Sequence, residues 1–201
     1  MANLIGNTAI DFTAPAILPD GSIQKDFNFY KHIDKKYCLL FFYPMDFTFV
    51  CPSELIALNN RINVFKKRHI EIIAISIDSI FVHKAWRNTP ITSGGIGTLS
   101  YCLISDIKKN IIKSYGVEDQ NTGVSYRGSF IIDDKKVVRV QHIHDFPIGR
   151  NIDEYIRLFD ALDFHAKNGE VCQAGWMKGN TGIKPSTEGI SAFLSANSTI
   201  L

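Results

Sequence analysis

The chain has no C-x-x-C pair: its four cysteines, Cys38, Cys51, Cys102 and Cys172, are scattered through 201 residues. That spacing argues against a disulfide-stapled scaffold, a zinc module and a paired dithiol. It also lacks a marked excess of positive or negative charge. With 22 Lys+Arg against 20 Asp+Glu, no basic stretch stands out beyond Lys66-Lys67-Arg68-His69, so nucleic acid is not an expected partner. No apolar run exceeds the length of a strand and no N-terminal apolar segment has signal length, so no membrane is expected and the expected location is cytoplasmic. The length suits one substantial core with a tail better than two ordinary domains.

What is present is an alternation of strand-like and helix-like segments, the pattern of an α/β layer architecture. Tyr37–Tyr43 is short, apolar and aromatic, as suits a strand buried on both faces. Ile70–Asp78 reads as a central strand, Phe81–Asn88 as a helix carrying Trp86, and Tyr101–Asp106 as the next strand. A short helix through Ile111 and Ile112 stops at Gly116. Tyr126–Ile132 and Val137–Ile143 flank Asp133-Asp134-Lys135, which predicts a hairpin. A longer helix opens at Asn151, with Asp153 and Glu154 in its first turn, and runs to about Lys167. From Glu170 the chain is rich in Gly, Ser and Thr, with one helical candidate over Glu188–Ser195, and weak ordering is expected there unless a partner holds it.

One segment carries more chemistry than the rest: Phe41-Phe42-Tyr43-Pro44-Met45-Asp46-Phe47-Thr48-Phe49-Val50-Cys51-Pro52-Ser53-Glu54. Pro44 ends the strand ladder. Pro52 fits the first position of a helix whose apolar face is Leu55, Leu58, Ile62 and Phe65. Cys51 is therefore placed at a helix N-terminus, where free N–H groups and the macrodipole favour a nucleophilic thiolate. A buried structural cysteine is the bland alternative, but such a thiol needs no proline-bounded helix mouth. Taken alone, Thr48 reads equally as a capping hydroxyl and Arg127 as an edge-exposed arginine. Cys38 and Cys102 read as inert core. His142 and His144 share a strand face without an evident third ligand, so no metal is expected.

A cysteine at the start of a helix that follows a central strand is the thioredoxin-fold arrangement, with Thr48 where a dithiol motif would have its first cysteine. Pro44, Thr48 and Cys51 within FFYPMDFTFVCPSEL resemble the typical two-cysteine peroxiredoxins, a subgroup that includes bacterial alkyl hydroperoxide reductase small subunits. The resemblance extends to HKAW at 83–86, GGIG at 94–97, YRGSFIID at 126–133, FPIGRNIDEYIRLFDAL at 146–162 and GEVC at 169–172.

The resemblance implies an α/β, thioredoxin-like fold with a central mixed sheet flanked by helices, a domain over residues 1–167 and a C-terminal arm over 168–201. It implies a thiol peroxidase acting on hydrogen peroxide and organic hydroperoxides. Cys51 would be the peroxidatic cysteine, passing through a sulfenic acid. Thr48 would hydrogen-bond thiolate and peroxide, Arg127 would supply fixed donors to sulfur and oxygen, and Pro44 would shield the pocket. Glu54 and Arg150 would orient Arg127 and the helix start. Cys172 would be the resolving cysteine, forming a disulfide with Cys51 of a partner subunit, so a homodimer, with a pentamer of dimers as the family's common assembly, is expected. Thioredoxin or a flavoprotein disulfide reductase would supply electrons, and no metal, haem or other cofactor is needed.

Two departures from the family pattern stand out. Gln173 follows Cys172 where proline is usual, leaving the local backbone less constrained. Ala192-Phe193 stands where overoxidation-prone members have Tyr-Phe beside their GG-x-G segment, here Gly94-Gly95-Ile96-Gly97. Easier disulfide formation and less trapping as sulfinic acid are therefore expected. A general thiol–disulfide oxidoreductase on the same fold is disfavoured by the missing C-x-x-C, and a holdase chaperone built as a high-order oligomer is the non-enzymatic alternative.

Overall fold

The computed structural model describes residues 3–199. Its chain divides into two compact units, one up to Ile152 and one from Asp153. The strands are β1 (Thr13–Ile17), β2 (Ile23–Asn28), β3 (Tyr37–Phe42), β4 (Ile70–Ser76), β5 (Cys102–Ser105), β6 (Arg127–Ile132) and β7 (Val138–His144). The helices are α1 (Phe29–His32), α2 (Cys51–Asn60), α3 (Ile62–Lys66), α4 (Ile80–Asn88), α5 (Asn110–Ser114), α6 (Ile152–Asn168) and α7 (Thr187–Asn197). The fold is the α/β, thioredoxin-like mixed sheet flanked by helices that the resemblance implied.

The seven strands lie in the order β2-β1-β5-β4-β3-β6-β7. β3, β4 and β5 run parallel, while β6 pairs with β3 and β7 with β6 antiparallel. β3 lies inside the sheet, between β4 and β6, and five of its six residues are buried, as a strand covered on both faces requires. One core cluster gathers Phe42, Tyr115 and Phe130, whose ring centroids lie 5.1–5.7 Å apart. Tilted and edge-on contacts of this kind add about 0.5–1.5 kcal/mol per pair beyond area burial.

Three local outcomes differ from the sequence reading. The helix after Cys51 breaks at Arg61, so the apolar face is divided: Leu55 and Leu58 are buried on α2 and Phe65 on α3. Cys51 is itself the first residue of α2, which places Pro52 second. The N-terminal hairpin β1–β2 adds two strands that the periodicity did not announce. Elsewhere the predicted β6–β7 hairpin is closed by Asp133, whose carboxylate accepts from the backbone N–H groups of Lys135 and Val137. The GGIG segment is a packing device, because a Cβ on Gly95 would fall 1.9 Å from the Thr89 carbonyl oxygen.

In the second unit the segment after α6 folds back along that helix instead of trailing loosely. The Phe164 and Trp176 rings meet at 5.0 Å, Arg157 donates to the Trp176 carbonyl at 3.0 Å, and Val171 bridges to Ile183. Ala192 and Phe193 belong to α7, which has no buried residue.

Candidate active site

β3 ends at Phe42, and Pro44, with no N–H to offer, turns the chain into the loop leading to Cys51. Phe47 takes a left-handed conformation in this loop, at φ 54°. The Thr48 hydroxyl donates to the Met45 carbonyl at 2.8 Å, so its proton is committed and its lone pairs remain for an incoming donor. α2 then opens at Cys51 without a side-chain cap, its second residue being Pro52. The Cys51 side chain is fully buried.

Arg127, the first residue of β6, brings one guanidinium nitrogen, Nη1, to 3.4 Å from Cys51 Sγ. The same nitrogen donates to Glu54 Oε2 at 2.8 Å, and Nε donates to the Phe146 carbonyl at 2.8 Å. Arg127 is thus buried and held in one pose. A fixed cation beside the sulfur stabilises negative charge there.

Glu54 lies one helical turn after Cys51 and receives a second arginine. Arg150 donates to Glu54 from its backbone N at 2.8 Å, from Nε at 2.9 Å and from Nη2 at 2.9 Å. Its remaining nitrogen, Nη1, donates to Gly128 O and Ser129 Oγ, and its guanidinium lies 3.2 Å from the centroid of the Phe41 ring. Burial pushes the Glu54 carboxyl up, but the hydrogen bonds and charges of Arg150 and Arg127 outweigh it and hold the group below the ordinary value.

Beside the sulfur lies a cavity of about 370 Å³ lined by Pro44, Thr48, Phe49, Val50, Arg127, Phe146 and Pro147. The structure therefore gathers Pro44, Thr48, Cys51, Glu54, Arg127 and Arg150 in one unit. Cys172 belongs to the other unit, half-buried, with its thiol donating to the Ala161 carbonyl at 3.6 Å. Burial raises the Cys172 thiol above its ordinary value, opposed by the charge of Arg157. Gln173 leads into a tight turn closed by Trp176 N to Gln173 O at 3.1 Å.

Cys38 and Cys102 lie in strands β3 and β5. Burial drives both thiols up, Cys102 to about 12, so neither ionises readily. All four cysteines are free thiols. The sequence reading missed Asp46 and His83, a buried pair next to this loop; the only signal was a polar residue within each quoted motif.

Two family models match the chain: the AhpC/TSA family over residues 5–141 and the C-terminal domain of 1-Cys peroxiredoxin over residues 161–196. Alkyl hydroperoxide reductase C from Buchnera aphidicola subsp. Acyrthosiphon pisum is 49% identical over 192 residues, covering 96% of this chain and 98% of the relative. Peroxiredoxin-1 from Gallus gallus is 49% identical over 191 residues, covering 95% of each chain. The crystal structure of reduced Plasmodium vivax 2-Cys peroxiredoxin superposes with a TM-score of 0.93 at 43% identity, covering 96% of this chain and all of the other. With this coverage, and with the fold shared throughout, the chain belongs to the AhpC/TSA family of peroxiredoxins.

Proposed function

We propose that this thiol peroxidase carries out its reaction at Cys51, and that Cys172 of a partner subunit completes it. The Cys51 thiolate attacks the terminal oxygen of a hydroperoxide. An S–O bond forms as the O–O bond breaks, the sulfur loses two electrons, and the departing alkoxide or hydroxide takes a proton to leave as alcohol or water. Thr48, its own proton engaged, accepts the peroxide O–H, while Arg127 stabilises charge on sulfur and oxygen. Pro44 forms part of the wall that keeps bulk water off. Glu54 and Arg150 hold Arg127 in register.

The Cys172 thiol then condenses with the sulfenic acid, releasing water and leaving a disulfide between subunits. A dithiol donor such as thioredoxin, or a flavoprotein disulfide reductase, returns both sulfurs to thiols. The working unit is a homodimer, and a pentamer of dimers is its proposed assembly. A cytoplasmic location is proposed with it, since the scattered cysteines of the sequence form no disulfide framework of the kind secreted domains carry. Among the described residues no helix is long and apolar enough to cross a membrane. The relatives' names favour peroxidase over the holdase reading.

The observation that carries this reading is the 3.4 Å approach of Arg127 to Cys51, on a guanidinium that Glu54 fixes from the other side. The test is peroxide-dependent NADPH consumption in the presence of thioredoxin and its reductase. The parent protein should sustain it and Cys51→Ser should not; equal rates in the two would overturn the assignment.

A further inference from the structure

A second buried cluster of titratable side chains lies outside the Cys51 site. Asp46 and His83 both have side chains with no exposure, and their Oδ2 and Nδ1 atoms are 2.7 Å apart. The other oxygen of Asp46 accepts from the Tyr43 hydroxyl at 2.8 Å, and His83 Nε2 lies 3.2 Å from the Ile104 carbonyl oxygen. The Asp46 backbone N–H donates to Asp78 Oδ2 at 2.9 Å, and Ser76 Oγ donates to the same oxygen. The pair is thus saturated with partners just after β3 (Tyr43), in β5 (Ile104) and in the turn after β4 (Asp78).

Its position in the chain gives this cluster its meaning. Asp46 is the last buried residue before Cys51, because Phe47 is half exposed, Thr48 and Val50 are intermediate, and Phe49 is 96% exposed. Among the described residues the Thr48 hydroxyl bonds back to Met45, within the loop itself. The loop that presents Pro44 and Thr48 to the cavity is therefore fastened to the sheet and α4 at Asp46 and at few points beyond it. Burial pushes the Asp46 carboxyl up while the His83 hydrogen bond pulls it down, as expected of a group whose place depends on that partner.

We propose that His83 is a positioning residue for the peroxidatic loop: through its Nδ1 bond to Asp46 it fixes Thr48 and Pro44 against the cavity and delays the release of Cys51 from burial. The inference rests on Cys51 being the peroxide-reactive thiol. With the Nδ1 bond gone, the buried Oδ2 of Asp46 loses its partner and the loop shifts to rehydrate it. Oxidation should then slow, since misplacement by about 1 Å can cost on the order of a hundredfold in rate. Disulfide formation should speed up, because the buried sulfur escapes more easily.

Three variants separate this role from general support of the fold. Asn at 83 places its amide nitrogen near the position of Nδ1, Gln reaches instead towards the Ile104 carbonyl, and Leu does neither. Rapid mixing of the reduced protein with hydrogen peroxide is followed by tryptophan fluorescence, to which Trp86 contributes with its ring 5.8 Å from Phe47. Disulfide formation is timed separately by quenched gel analysis. His83→Leu and His83→Gln should oxidise about tenfold or more slowly and form disulfide faster, whereas His83→Asn should stay within about threefold of the parent in both steps. Loss of stability alone would lower Tm without moving the two rates in opposite directions.

If His83→Leu does not fold, the comparison of Asn with Gln decides. Asn no better than Gln, or all folded variants at parental rates, would overturn the proposal. Failure of the parent itself to lose its Cys51 thiol to peroxide would instead overturn the assignment of Cys51.

Discussion

Glu54 and Arg150 meet through three hydrogen bonds of 2.8–2.9 Å, two from the guanidinium and one from the Arg150 backbone, while the same carboxylate also receives Arg127. The arginine beside the Cys51 sulfur is thereby oriented by a buried anion on α2, and that anion is held by the segment just before α6. Replacing it by Glu54→Gln leaves two buried guanidinium groups without their counter-charge, at a cost of about 3–5 kcal/mol. Chemical denaturation should register that loss, together with a fall in peroxidase kcat/KM.

The pH dependence of this cluster follows from the direction of the Glu54 shift. Its carboxyl lies below the ordinary value of 4.5, so its stabilisation is complete above that pH and is lost as pH falls through the folded-state value. Unfolding free energy measured down the acid limb should decline in the parent and be flatter in Glu54→Gln. A parallel decline in both would show that Glu54 is not a linked group.

Arg127→Lys preserves charge and loses the fork. One nitrogen of Arg127 serves both Sγ and Glu54 while Nε holds the Phe146 carbonyl, and a single ammonium cannot span these positions. Removing a preorganised donor of this kind costs on the order of 10²–10³ in rate, so the second-order rate constant for Cys51 oxidation should fall by about that factor in stopped-flow measurements. Retention of the parental rate would remove Arg127 from the chemistry.

Much of this site was legible because its determinants are local. Pro44, Thr48, Cys51 and Pro52 lie within nine positions, and the doubly buried β3 run identifies the strand that delivers them. The ion cluster was visible only through resemblance, since Glu54 and Arg150 are 96 positions apart and no periodicity links them. Asp46 and His83 stayed hidden for the same reason. The β1–β2 hairpin was missed because Pro15 interrupts β1 and β2 is a polar edge strand, although Asp20-Gly21 between them is a turn signal. The break at Arg61 carries no glycine or proline to mark it, and the apolar spacing runs straight through it.

A second pH effect concerns turnover. Burial holds the Cys172 thiol above its ordinary value and Arg157 opposes that, so the thiolate that the proposed disulfide step needs becomes commoner as pH rises. Disulfide formation after a peroxide pulse should accelerate with pH until the raised value is passed. Arg157→Ala should move that rise to still higher pH; a shift in the opposite direction would contradict the electrostatic role of Arg157.

The central claim is that peroxide reacts at the sulfur that Arg127 touches. It is tested most directly by exposing the reduced protein to less than one equivalent of hydrogen peroxide with a cyclic diketone that captures sulfenic acids, followed by peptide mass spectrometry. The adduct should appear on the Cys51 peptide and be absent from those of Cys38 and Cys102. Labelling spread evenly over the four cysteines, or confined to one other than Cys51, would contradict the account.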